Sequence, residues 1–337
     1  YAPLRVVRTE CGYGGPCEPL SPWVVELNNP VDPEAFDASL VTVSPELPGQ
    51  RVEAFGQTIQ ITGVSAGRTD YEITIDGSLT DIFGQTLGDD ETVTVEVGDA
   101  RPQLFGGDRP FVTLDPRSGE QEFAFTSINH DDVYVRAFRV TPEEWETFPD
   151  YIWDTERFLD DDGRIEPPET WELALDEIIE IEGDPNTVTE TLVDLREVLL
   201  GGPGQLVVLV EPTEQYSRDD ELYWMNRPLV TWVQSTVIGI DAVADDQSVV
   251  VRATDLRDGS PVGGLDVAIS DSDIVITTDA EGVGTGALPT SGDFEGFGRI
   301  LVARAGDDIA ILPSLFGGNG WQGSERSDQT RWYVLTD

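Results

Sequence analysis

Thr254-Asp-Leu-Arg-Asp-Gly-Ser-Pro-Val-Gly-Gly-Leu-Asp-Val267 decides the fold of this chain. It reads as strand, turn, strand. Gly259 supplies the backbone freedom of a tight turn, and Pro261 leads out of it. Val262, Leu265 and Val267 are then the apolar residues that face a core. A second turn, Thr278-Asp-Ala-Glu-Gly-Val-Gly284, relies on Gly282 in the same way. Ile300-Leu-Val-Ala-Arg-Ala-Gly-Asp-Asp-Ile-Ala310 adds two strands around a Gly-Asp-Asp hairpin. Strands are expected at 237–240, 248–254, 265–270, 274–278, 298–305 and 308–312. The Gly- and Ser-rich stretch 313–328, with Trp321 inside it, reads as a linker, and Arg331-Trp-Tyr-Val-Leu-Thr-Asp337 as a closing strand.

Outward from this segment, the same short alternating runs recur. Residues 1–99 show them at 4–7, 23–27, 40–43, 59–61, 71–75 and 92–97. Residues 100–235 show them at 111–114, 122–126, 133–140, 205–210 and 229–233. Between these lies an insertion, about 141–183. Thr141-Pro-Glu-Glu-Trp opens it with a Thr cap, Pro at the first helical position and acids in the first turn. A second short helix is expected at 151–159. Residues 170–179 fit a helix slightly better than a strand, because Trp171, Leu173, Leu175, Ile178 and Ile179 are spaced that way. The fold class is therefore all-β: three consecutive antiparallel β-sandwiches at 1–99, 100–235 and 236–337, the middle one with a short helical insertion.

The chain has 337 residues, with 65 acidic against 20 basic side chains and a formal net charge of -45. Every basic residue is Arg. Such a field repels phosphate backbones and anionic lipid, so nucleic acid and bilayer surfaces are poor partners. The acids are spread along the chain, which reads as solubility in a salty habitat rather than as attraction of a cationic partner. Gln205 to Val210, among the longest apolar runs, is far shorter than the ~18 residues a membrane helix needs. Both ends, Tyr1 without a leader and Asp337 straight after a strand-like run, read as cut.

Cys11-Gly-Tyr-Gly-Gly-Pro-Cys17 holds both cysteines. A loop of Gly and Pro around Tyr13 lets the sulfurs meet, so a disulfide is expected, and with it an oxidising compartment. With only His130 beside them, the cysteines lack the partners of a metal site. His130, in Asn-His-Asp-Asp, reads as a solvated turn residue, since no nucleophile motif accompanies it. Without Lys there is no P-loop. No catalytic or cofactor-binding residue is assigned. The one metal candidate is calcium at Asp160, Asp162 and Glu169, where Leu159-Asp-Asp-Asp-Gly-Arg-Ile-Glu166 resembles a calcium loop. Phe158 stands where the first ligand belongs, and Pro167 and Pro168 disturb the exit, so a plain acidic turn is the expectation. Trp145, Trp153 and Trp171 are read as core or domain contacts rather than a sugar platform.

Two resemblances follow from these motifs. Tyr71-Glu-Ile-Thr-Ile-Asp-Gly-Ser-Leu-Thr-Asp-Ile-Phe-Gly-Gln-Thr-Leu87 resembles the bacterial immunoglobulin-like domain that often opens large surface proteins. The 254–310 pattern, with Trp332-Tyr-Val-Leu-Thr-Asp337, resembles the macroglobulin-like sandwich of bacterial alpha-2-macroglobulins. Glu190-Thr-Leu-Val-Asp-Leu-Arg-Glu-Val-Leu199 and Gly202-Pro-Gly-Gln-Leu-Val-Val-Leu-Val-Glu211 resemble the preceding domain of that family.

The resemblance implies a protease trap: a bait segment is cut, the molecule rearranges, and a Cys–Gln thioester captures the attacker. The Cys-x-Glu-Gln stretch of that chemistry is missing from this sequence. The implied role is a non-catalytic structural segment of a broad-spectrum endopeptidase inhibitor. Its partners would be proteases, met by the full-length parent, and adjacent domains of the same chain. A monomer in the periplasm or at the cell surface, lipid-anchored in the full-length protein, is the corresponding expectation. A surface adhesin and a carbohydrate-binding accessory module are the alternatives.

Overall fold

A computed structural model describes residues 2–12, 16–106, 110–160, 163–244, 248–288 and 299–314. The expected closing strand 331–337, Trp321 and Asp162 lie outside the described residues. The chain divides into two compact units.

The first unit is Tyr1–Gln103 with Ser127–Asn129 and Glu182–Thr189. Its strands are β1 (Val6–Cys11), β2 (Trp23–Leu27), β3 (Val41–Ser44), β4 (Arg51–Phe55), β5 (Thr58–Thr62), β6 (Thr69–Ile75) and β7 (Glu91–Val97). They form two antiparallel sheets, ordered β1-β2-β5-β4 and β3-β6-β7. Strict alternation builds the core: Trp23, Val25 and Leu27 of β2 point inward, as do Tyr71, Ile73 and Ile75 of β6. The Trp23 and Tyr71 rings meet at 4.9 Å, and the Tyr71 hydroxyl accepts the Ala66 N–H at 2.8 Å.

The Leu-Thr-Asp corner of this unit turns on Asp81, which is fully buried. It accepts bonds from Asn29 Nδ2 (2.8 Å) and the N–H groups of Phe83 and Gln85 (2.9 Å each). Burial alone would raise its carboxyl; these bonds outweigh burial and hold it below the usual range.

The second unit is Leu104–Thr126, His130–Ile181 and Glu190–Asp337. Its first sheet pair uses β8 (Gln103–Phe105), β9 (Phe111–Leu114), β10 (Glu122–Ile128), β11 (Asp132–Arg139), β12 (Glu172–Glu180), β13 (Thr189–Asp194), β14 (Gly204–Pro212) and β15 (Leu229–Ser235). The sheets run β13-β10-β8 and β12-β11-β14-β15-β9, with β9 joining β15 in parallel. Its second pair uses β16 (Ile238–Ala244), β17 (Ser248–Asp255), β18 (Asp266–Ile269), β19 (Val275–Thr277), β20 (Val283–Ala287), β21 (Ile300–Ala305) and β22 (Asp308–Pro313). These sheets run β16-β17-β20 and β19-β18-β21-β22. Gly282 has φ +74°, and a Cβ there would come within 2.5 Å of the Ala253 carbonyl, so the turn admits only glycine.

The insertion is helical only in its first part: a 3-10 turn at Pro142–Glu146, α1 (Phe148–Trp153) and a 3-10 turn at Thr155–Phe158. Thr141 and Glu144 cap it reciprocally, the Thr141 N–H donating to Glu144 at 2.8 Å. The expected helix at 170–179 is instead strand β12, paired along β11 from Asp132↔Glu180 to Arg139↔Glu172. The pairing shifts register between Ala137 and Phe138, leaving Ala174 as the extra residue. Leu173 and Ile178, two of the apolar residues whose spacing suggests a helix, are instead exposed on the strand, at 50% and 61%. A short helix α2 (Glu221–Met225), capped by Asp220, lies in the loop before β15 and is absent from the sequence reading.

Candidate functional site

β14 and β15 are buried on both faces. Leu206, Val208 and Val210 of β14, with Val233 of β15, fill the core of the first sheet pair. Val207, Leu209, Val230 and Trp232 point the other way. There they join Trp145, Phe148, Tyr151, Ile165 and Trp171 of the insertion, and Ile300, Val302 and Ile311 of β21 and β22. The opposite residues of β21 and β22, Leu301, Ala303 and Ala310, belong to the core of the second pair. One aromatic layer therefore joins two sandwiches.

Trp232 is the centre of this layer and is fully buried. Its ring stands edge-on to Trp145 and Phe148, each at 5.2 Å. Its Nε1 donates to Gln205 Oε1 at 2.7 Å, and Gln205 Nε2 donates to the Ile309 carbonyl at 2.7 Å. Gln234 completes the contact: the Ile311 N–H donates to its Oε1 at 2.8 Å, and its Nε2 donates to the Ile311 carbonyl at 3.1 Å. β22 is an edge strand, and these two glutamine amides satisfy backbone groups that burial would otherwise leave unpaired.

Charge fastens the insertion to the sheet. Glu211 is 1% exposed at the side chain and takes a two-pronged bond from Arg136, at 2.9 Å to each oxygen. Arg136 also donates to the Ile165 carbonyl, and the Ile165 N–H donates to Glu211, both at 2.7 Å. Burial pushes the Glu211 carboxyl up, with Arg136 and the Ile165 N–H opposing.

The residues singled out in the sequence fall in separate places. Cys11 and Cys17 are joined by a disulfide, Cys11 standing opposite Trp23 in the β1–β2 ladder. Asp160 accepts the Arg164 N–H at 2.9 Å, Glu169 is exposed, and Asp162 lies outside the described residues. Among the described residues no group of three His, Cys, Asp or Glu side chains could hold a metal ion. Trp145 and Trp171 are buried, but Trp153 is 59% exposed. His130 is not solvated as expected: it is buried, with Nε2 2.7 Å from Asn226 Oδ1. Asn226 Nδ2 donates to the Leu222 carbonyl at 2.8 Å, which turns Oδ1 toward the ring and makes Nε2 the donor. Burial pushes the imidazole pKa down, while the Asn226 bond and Glu214, Asp132 and Asp131 oppose that.

No family model matches the chain. A protein of Nostoc sp. named alpha-2-macroglobulin homolog is 24% identical to it over 228 residues, 66% of this chain. The chain is similar to a bacterial alpha-2-macroglobulin. It spans 11% of that relative's length. The crystal structure of native alpha-2-macroglobulin from Escherichia coli spanning domains MG0-NIE-MG1 is 18% identical, with TM-score 0.49, covering 92% of this chain and 96% of that one. Salmonella alpha-2-macroglobulin reacted with methylamine is 17% identical, with TM-score 0.48, covering 93% of this chain and 18% of that one.

The motif that carried the resemblance to alpha-2-macroglobulins has a further part in the junction. Asp255, its first acid, receives Arg117 Nη1 and Nη2 at 2.7 Å each, and Arg117 Nε donates to Asp115 at 2.9 Å. The Arg117 bonds hold the Asp255 carboxyl down at about 2. No helix among the described residues is long and apolar enough to cross a membrane.

Proposed function

We propose that this chain is a non-catalytic scaffold segment of a bacterial alpha-2-macroglobulin-like protease inhibitor of broad specificity, working at the cell envelope. The observation that carries the reading is the 228-residue sequence similarity to the Nostoc alpha-2-macroglobulin homolog. In the parent, rearrangement after bait cleavage needs some domains that move and others that hold their shape. The aromatic layer on Trp232, with Gln205, Gln234 and Arg117–Asp255 around it, suits the second unit to the latter role. Proteases are partners of the full-length parent, in the periplasm or outside the cell, and this segment meets adjacent domains of the same chain. The parent acts as a monomer.

The test uses the full-length parent with several unrelated endopeptidases. Cleavage should be followed by a fall in radius of gyration and by protection of large protein substrates, while small peptide substrates are still cut. Cleavage that leaves both compactness and large-substrate proteolysis unchanged would refute the inhibitor reading.

A further inference from the structure

Between β13 and β14 of the second unit the chain makes a single helical turn. The Leu199 N–H donates to the Leu195 carbonyl at 2.8 Å, the Gly201 N–H to Arg196 at 2.8 Å and the Leu200 N–H to Glu197 at 3.3 Å. The last two bonds are the nested pair that closes a helix end, and they put Leu200 at the left-handed position just past it. Its φ is +55°. Glycine takes that conformation freely and is the usual occupant, whereas a residue with a Cβ is strained there. Leu200 is also 83% exposed, more than any other large apolar side chain among the described residues.

The turn is held from below. Leu195, Val198 and Leu199 are buried in the core of the first sheet pair. Arg139 donates to the Val198 carbonyl through Nε at 3.2 Å and Nη2 at 3.0 Å. The Gly202 carbonyl accepts from Gln121 Nε2 at 3.2 Å and from Ser235 Oγ at 2.9 Å. Leu200 is therefore an apolar knob on a rigid base. An exposed leucine by itself is ordinary; one that also strains the backbone costs stability that its solvent-facing side chain does not offset. The tip, Leu200-Gly-Gly-Pro203, carries no charge in a chain where 25% of the residues are charged, which suits it to an apolar contact. The chain spans 11% of the Nostoc relative's length, so a parent of that size holds many domains to supply the contact.

We propose that Leu200 is an anchor by which the second unit docks into an apolar socket on a domain of the parent outside these 337 residues. Such docking rests on the reading of this chain as a segment of a larger macroglobulin-like parent, but not on protease inhibition by that parent. The rigid turn sets the knob before contact, so little freedom is lost on docking.

The test has two arms. In the 337-residue chain, Leu200→Gly relieves the strain and should raise the melting temperature of the second unit by about 3 °C. In the full-length parent, the amides of residues 199–204 should exchange about tenfold more slowly than in the 337-residue chain, and Leu200→Gly should abolish that difference. Leu192→Thr, at a β13 position that is 53% exposed, should leave the difference intact. A diazirine analogue of leucine at position 200 of the parent should cross-link, within one molecule, to a peptide outside residues 1–337. Equal exchange in chain and parent, a difference that survives Leu200→Gly, no cross-link beyond residues 1–337, or a melting temperature that Leu200→Gly fails to raise would overturn the proposal. Compaction of the parent after protease cleavage is read separately. Its absence with the cross-link present counts against the inhibitor reading alone, and its presence without the cross-link counts against the docking alone.

Discussion

The first unit and the junction of the second bury apolar surface in different ways. In the first, two sheets face each other and one row of each strand points inward, so the core closes on itself. In the second, β14 and β15 point inward on both faces, and the outer face is finished by the insertion and by two strands of another sandwich. The first arrangement is mainly aliphatic, with Trp23 packed on Tyr71. The second is aromatic and carries two buried glutamines, because flat rings fill a layer between irregular partners and amides satisfy the edge of β22. A sandwich with a self-contained core can unfold by itself; two that share a layer should unfold together.

Substitutions in the two regions should therefore act on different transitions. Trp232→Ala should cost about 5 kcal/mol, the upper end for a buried aromatic, since it also strands Gln205. Calorimetry should show both sandwiches of the second unit destabilised and the transition of the first unit unmoved. Arg136→Ala comes next, at about 3 kcal/mol, because it leaves the Glu211 carboxylate buried without its partner. Glu211→Gln in the same background should recover part of that loss, and no recovery would mean that lost packing, not charge, dominates.

How far these differences could be read beforehand depends on the residue. The alternation of Trp23, Val25 and Leu27 states its own answer, and so do the turns at Gly259 and Gly282, whose positive φ the glycines permit. The continuous run from Gln205 to Val210 carries a signal for burial on both faces, but nothing in it says what covers the second face. Asp255 reads as a turn acid; its pairing with Arg117 spans 138 residues, and spacing of that size has no local signature. His130 reads as a solvated turn residue because no nucleophile motif accompanies it, while its partner Asn226 lies 96 residues away. β12 is obscured by Leu173 and Ile178, apolar residues that the strand leaves exposed.

Smaller effects sharpen the contrast. Gln234→Leu should cost about 2 kcal/mol, by leaving the Ile311 N–H and C=O buried without partners, and should act only on the second unit. Reduction of Cys11–Cys17, which closes a loop with a sequence separation of 6, should cost about 2 kcal/mol and act only on the first. The pH effect of His130 is the least. Its folded pKa lies below the ordinary value, so the unfolded chain takes up the proton first. Its contribution is thus complete above the ordinary His pKa and declines as pH falls below it. Melting of wild type and His130→Gln between about pH 8 and 5 should converge on acidification, and parallel curves would exclude the effect.

Native-state hydrogen exchange on the full chain tests the shared layer most directly. The amides of β11, in the first sheet pair, and of β18, in the second, should open with one common free energy. Trp232→Ala should lower both by the same amount while β2 and β6 of the first unit stay as they were. A lower value for β11 with β18 unchanged would contradict it, and would mean that the two sandwiches touch without folding as one.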